Sequence, residues 1–239
     1  MSEFDFKVTR DGAIARIDLN RPEEGNALTR AMMIRLAALL RELGSAPDIN
    51  VVAIGGRGSQ FCRGRDGRGE SRAGMTPYEV RVKMMGAVLD SYQALWDVPV
   101  PVVALVHGDA LGYGAALAVG CDITLAASHA RFAFPEIEHD IPPTMAMCAA
   151  LGKIQAKALT YLIYSAEQID ASQAVTLGLA SKVLPQETFA AAADAFLAKL
   201  AGRPRLVLET IKRYQAKAAH LTPDMASEYA GTLMALVRS

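Results

Sequence analysis

The chain has 239 residues, enough for one large domain or two small ones. It is 51% hydrophobic and 21% charged, with a formal net charge of +0 and a pI near 6.9. That composition buries a substantial core, and it leaves no global basic field to gather nucleic acid or an anionic membrane. An anionic ligand must therefore be held by a local site.

The N-terminal stretch MSEFDFKVTRDG alternates acidic and basic residues with no apolar run, so no signal peptide is expected. Ala13–Leu19 reads as a strand rich in β-formers, ended by a turn at Arg21-Pro22-Glu23. Thr29–Leu43 is expected to be a helix, because Met32, Met33, Leu36, Leu39, Leu40 and Leu43 recur at helical spacing, with Gly44 as its stop. Val51–Ile54 is a short apolar run of the kind a buried strand needs, followed by a Gly- and Arg-rich loop from Gly56 to Gly74.

Tyr78–Trp96 is again helical in pattern, and Pro99 and Pro101 break it. Val102–Val106 is a second buried strand, leading into a glycine-rich turn and a short helix at Ala115–Val119. Ile123–Ala127 and Arg131–Phe134 are further strands. After Pro143 nearly everything reads as helix: Ile154–Tyr164, Ala171–Leu177, Glu187–Leu200, Pro204–His220 and Pro223–Val237. Asp170 suits an N-cap and Gly178 a C-terminal stop. The expected architecture is an α/β core over residues 1–185 with a helical region over 186–239.

Cys62, Cys121 and Cys148 are an odd, scattered set, poor material for a disulfide framework and simplest as reduced thiols in a cytoplasmic protein. The four histidines show no metal-ligand spacing, so no metal is expected. No stretch approaches the roughly 18 consecutive apolar residues of a membrane span.

Three local features carry chemical interest. They are Phe61-Cys62-Arg63-Gly64-Arg65-Asp66 past a buried strand, Gly108-Asp109-Ala110-Leu111-Gly112-Tyr113-Gly114 between a strand and a helix, and Phe134-Pro135-Glu136-Ile137 after a short strand. The second is a poor dinucleotide fingerprint, since Leu117 stands where a third small residue belongs and no acidic residue follows about twenty positions on. The glycines either make a tight strand-to-helix turn or free backbone N–H groups to face an anion at a helix start. With a second N–H from another loop, the latter arrangement is an oxyanion hole.

The ordered set of motifs resembles the crotonase, or enoyl-CoA hydratase/isomerase, superfamily. Asn20-Arg21-Pro22 with Asn26-Ala27-Leu28, Phe61-Cys62-x-Gly64-x-Asp66, Val106-x-Gly108-x-Ala110-x-Gly112-x-Gly114, Cys121-Asp122-Ile123, Ala130-Arg131-Phe132, Pro135-Glu136 and Gly178-Leu179 ahead of Val183-Leu184-Pro185 carry it. The resemblance implies an α/β spiral of ββα repeats with a C-terminal helical trimerisation region, assembled as trimers or hexamers. It implies an acyl-CoA thioester as ligand, coenzyme A being part of the substrate and no separate cofactor.

By position the oxyanion amides belong to Arg65 and Tyr113. The coenzyme A contacts map to Ala27, Arg65, Asp66, Gly67, Arg68 and Gly112. The arginines at 63, 65, 68 and 72 either meet phosphates or form a solvated loop.

Hydratases of this family use two glutamates. Here Ala116 stands at the first place and Glu136 at the second. Moving a double bond needs one base that takes a proton at one carbon and returns it at another, so a single glutamate leans toward an isomerase. A hydratase or hydrolase pairing Glu136 with Asp140, and a non-catalytic acyl-CoA-binding homologue, are the alternatives. Asp140 either supplies a second acid/base group or serves as a cap or solvated residue, and His139 reads as a loop residue. Met84, Met85, Met145 and Met147 either line a flexible acyl site or pack in the core.

Overall fold

The apolar runs read as buried strands form the middle of one sheet in the computed structural model, which describes residues 5–238. In chain order the strands are β1 (Phe6–Asp11), β2 (Ile14–Leu19), β3 (Val51–Gly56), β4 (Val102–Val106), β5 (Ala110–Leu111), β6 (Ile123–Ala127), β7 (Arg131–Ala133), β8 (Ile169–Asp170) and β9 (Lys182–Leu184). The six-stranded sheet runs β1-β2-β3-β4-β6-β9, and β5-β7-β8 form a second, small sheet. β1 and β2 are an antiparallel hairpin, with Phe6 opposite Leu19. From β2 onward the main sheet is parallel.

The helices are α1 (Arg30–Ser45), α2 (Pro77–Glu79), α3 (Gly86–Asp97), α4 (Tyr113–Gly120), α5 (Thr144–Ala150), α6 (Ala156–Ser165), α7 (Ala171–Leu177), α8 (Phe189–Ala201), α9 (Arg205–Ala218) and α10 (Pro223–Arg238). A π-helical turn, Val80–Met85, joins α2 to α3. Among the described residues no helix is long and apolar enough to cross a membrane. Residues 1–4 of the N-terminal stretch, and Ser239, lie outside the described residues.

Both faces of the sheet are covered, which is why its central strands are continuous apolar runs. Along β3, Val52 and Ile54 point into the larger core with α1, α3 and α4, while Val51 and Ala53 point the other way, against Phe189, Ala193 and Leu197 of α8. Each fully buried Val, Leu or Ile contributes about 1.5–3 kcal/mol. Residues of α8, beyond residue 185, thus complete a core whose other half comes from β2, β3 and β4.

Local signals set several boundaries. The Thr29 hydroxyl accepts from the Met32 amide at 3.3 Å and caps α1. Gly44 does not stop that helix: it lies inside it, pressed against Val98, where a Cβ has no room, and the helix ends at Ser45. Asp170 and Gln173 close a capping box on α7, and Gly178 ends it at φ 90°.

Candidate active site

Two loops are brought side by side by backbone pairing. After β3 the chain is stitched on both sides, because the Leu28 amide donates to the Gly64 carbonyl at 3.0 Å and the Asp66 amide to the Leu28 carbonyl at 2.8 Å. Two residues further back, the Cys62 amide donates to the Asp109 carbonyl at 3.0 Å and the Leu111 amide to the Cys62 carbonyl at 2.9 Å. Gly114 fits because its missing side chain makes room for the Cys62 carbonyl. A Cβ on Gly64 would lie 4.0 Å from the Tyr113 nitrogen, so the segment carrying Arg65 runs directly beside the start of α4.

This pairing leaves two amides over. The Arg65 N–H lies between the bonded groups of Gly64 and Asp66, and no described group accepts from it. The Tyr113 N–H opens α4 and has no partner within the helix, as for any first-turn amide. Both residues line a cavity of about 710 Å³ whose wall also includes Gly64 and Gly112. Two free amides, one of them at a helix start, favour an oxygen that gains negative charge.

Glu136 faces the same cavity. It is held by a one-turn 3₁₀ helix, Pro135–His139, which follows β7. Its Oε1 lies 3.0 Å from where a Cβ on Gly112 would stand, and its buried Oε2 has no hydrogen-bond partner. Burial raises the carboxyl above its ordinary 4.5, opposed only by a bond to its own amide. A carboxylate with a raised pKa and an idle oxygen is suited to taking and returning a proton. The buried thiols are poor nucleophiles by contrast, since burial pushes Cys62 and Cys121 up to about 12. Among the described residues no group of three or more His, Cys, Asp or Glu side chains is placed to hold a metal ion.

The remaining candidates divide by position. Gly67 lines the cavity with Arg63 and Arg72, neither of which has a carboxylate partner among the described residues, so both are available to phosphate. Arg65 also lines it, with its guanidinium paired to Glu70. Asp66 and Arg68 do not. Asp66 is tied to Arg21 at 3.1 Å and to Arg68 at 2.9 Å, and Arg68 reaches Glu24 at 2.5 Å, a network that fixes the loop. Ala27 is also outside the wall, its carbonyl accepting from Arg21 at 2.7 Å.

Asp140 is exposed and outside the wall, at φ 56°, and its amide closes the 3₁₀ turn onto Ile137 at 3.1 Å. The structure therefore does not bring Asp140 to Glu136. His139 sits at the rim, and Met84, Met85 and Met145 line the wall while Met147 does not. Ala116 is fully buried in α4.

The profile of the enoyl-CoA hydratase/isomerase family matches residues 9–234. The chain belongs to that family. A probable enoyl-CoA hydratase of Mycobacterium tuberculosis is 33% identical over 225 residues, covering 91% of this chain and 79% of the relative. The 2,3-dehydroadipyl-CoA hydratase of Escherichia coli is 31% identical over 232 residues, covering 92% and 86%. A crystal structure of an enoyl-CoA hydratase from Mycobacterium smegmatis superposes with a TM-score of 0.90 at 28% identity, covering 97% of this chain and 90% of that one. The α/β spiral expected from the motifs is therefore the fold of this chain, and an acyl-CoA thioester is the substrate class consistent with its family.

Proposed function

We propose that this family member is an enoyl-CoA isomerase in which Glu136 moves one proton between two carbons of a thioester enolate. The amides of Arg65 and Tyr113 hold the thioester oxygen. The observation that supports the reading is a single unpaired carboxylate in the cavity wall: Glu136 has an idle buried oxygen, Glu70 is paired to Arg65, Asp140 is exposed and outside the wall, and Ala116 supplies no acid.

In the forward direction Glu136 takes a proton from C2 of a 3-enoyl thioester. The electrons flow into the thioester carbonyl, whose oxygen becomes negative against the two amides. The resulting dienolate is protonated at C4 by the same carboxyl, and the carbonyl re-forms with the double bond between C2 and C3. Proton and charge balance without a second acid, and the apolar wall keeps water from competing.

The hydratase names of its relatives point to a second reading, water addition, in which another group replaces the missing carboxylate. A paired assay separates the two. Wild type and Glu136→Gln are given 3-enoyl-CoA and 2-enoyl-CoA thioesters in heavy water, and the products are weighed. Double-bond migration with deuterium uptake, lost in the variant, supports the isomerase. Addition of water contradicts it. We also propose assembly as a trimer or hexamer. Exposed Tyr161, Tyr164, Ile211 and Met234 on the later helices suit burial between copies, and light scattering on the purified chain tests this.

A further inference from the structure

Tyr92 stands on α3, is 1% exposed, and lines the same cavity as Glu136. Its ring stacks on that of Tyr113, with centroids 5.5 Å apart and planes inclined by 19°. Tyr113 is itself pinned: its hydroxyl bonds to Ser91 Oγ at 2.8 Å, and Ser91 donates to the Val88 carbonyl at 2.6 Å. The Tyr92 ring is thus held by a partner whose own polar group is satisfied.

The Tyr92 hydroxyl is different, since no hydrogen bond joins it to a described group and the buried residue lines the cavity. The wall beside it is apolar, formed by Met84, Met85, Val88, Leu89 and Met145. Burial also pushes the phenol well above its ordinary 10.0, with the Glu136 carboxylate adding to the effect, so at neutral pH it is a fixed donor. The hydroxyl opens onto the cavity, so a hydrocarbon chain laid across it would leave the donor unpaired, a penalty that a ligand oxygen avoids. Sites of this kind discriminate strongly, because an analogue lacking the acceptor leaves the buried donor unpaired.

We propose that Tyr92 is a specificity-determining residue that donates a hydrogen bond to a neutral oxygen on the acyl chain, so that the substrate class is a keto- or hydroxy-bearing acyl thioester rather than a plain hydrocarbon one. The inference rests on the reading of Glu136 as the base, which places C2 to C4 against Glu136 and carries the rest of the chain along the α3 wall. The oxygen then lies beyond C4. It is neutral because a carboxylate there would set a second negative charge within reach of Glu136.

The test is binding of saturated chains, which need no base. Octanoyl-CoA and its 5-oxo, 6-oxo and 7-oxo derivatives are titrated calorimetrically into wild type, Tyr92→Phe and Glu136→Gln. The phenylalanine keeps the stack on Tyr113, and an unfolding scan checks its fold. One oxo position is expected to bind wild type about tenfold tighter than octanoyl-CoA, the equivalent of one hydrogen bond. That ratio should collapse to about one in Tyr92→Phe and persist in Glu136→Gln. Equal affinity of all four chains for wild type overturns the proposal with no variant needed, and so does a preference that survives Tyr92→Phe. A Tyr92-dependent preference in a protein that moves no double bond overturns the base assignment and leaves this one standing. An active isomerase that shows no preference does the reverse.

Discussion

Replacing Gly112 with alanine tests the proposed oxyanion hole and the proposed base together, because this residue precedes Tyr113 and adjoins Glu136. Its backbone sits at φ 53°, ψ −118°, which L side chains avoid. Imposing it on alanine costs about 1–3 kcal/mol. The new methyl would also stand 3.0 Å from Glu136 Oε1, closer than a relaxed contact. The carboxylate must then give by a few tenths of an ångström. That movement is cheap for stability and expensive for proton transfer, and we expect kcat to fall by about 10- to 100-fold. At about 2–4 °C per kcal/mol for a domain this size, the unfolding midpoint should drop by about 2–12 °C. Gly12→Ala is the control: Gly12 has a similar φ of 52° in the hairpin turn, with nothing within 4 Å of the added Cβ. It should lose stability from the positive φ alone and keep its rate. A Gly112→Ala protein with wild-type kcat would refute the proposed placement of Glu136 against this glycine.

Asp66→Asn should cost about 1–2 kcal/mol at neutral pH, discounted for the exposure of Arg68. Because Arg68 and Arg21 hold the Asp66 carboxyl far below the ordinary range, the wild type's advantage is complete above about pH 4 and disappears as pH falls through the depressed folded value. Denaturant melts across that range check it, and a deficit independent of pH contradicts it. Lys212→Met should cost about 3 kcal/mol by denaturant melt, since Lys212 is 8% exposed and donates to the Leu95 carbonyl at 2.9 Å, the Val100 carbonyl at 3.1 Å and Asp122 at 2.7 Å. Glu136→Gln should melt higher than wild type at neutral pH. Ionising the raised Glu136 carboxyl weakens the fold, so the gain should shrink as pH falls through the raised folded value and be gone below the ordinary carboxyl value of 4.5. The same titration should give kcat/KM an ascending limb above pH 4.5.

The central strands were legible in the sequence because a strand buried on both faces must be apolar throughout, as at Val51–Ile54 and Val102–Val106. β1 was not, because this edge strand is exposed from Lys7 to Asp11 and needs only hydrogen bonds there, and Phe6–Asp11 offers just Phe6 and Val8 among polar residues. β9 escaped notice because its three residues gain their meaning from β6, more than fifty positions earlier. α5, seven residues of Thr144-Met-Ala-Met-Cys-Ala-Ala, is too short to show a period. Gly44 misled because its punctuation value in sequence is the same whether it ends a helix or admits Val98 against one.

At the site, Gly112, Arg65, Tyr113 and Glu136 were legible through ordered motifs, since the roles proposed for them need only backbone and one carboxylate. Tyr92 carried no signal: an aromatic on the buried face of a helix is ordinary, and only the cavity reveals that its hydroxyl is idle. The arginine cluster was legible as charge but not as geometry, since Arg68 is spent on Asp66 and Glu24 while Arg63 and Arg72 face the cavity.

The central claim is that Glu136 removes a proton beside a thioester whose oxygen two amides hold. It is tested most directly by nuclear magnetic resonance of hexanoyl-CoA in heavy water. With wild type the C2 protons should exchange for deuterium, and with Glu136→Gln exchange should fall to the rate without protein. Exchange that continues unchanged in the variant would contradict the account, because some other group would then be the base.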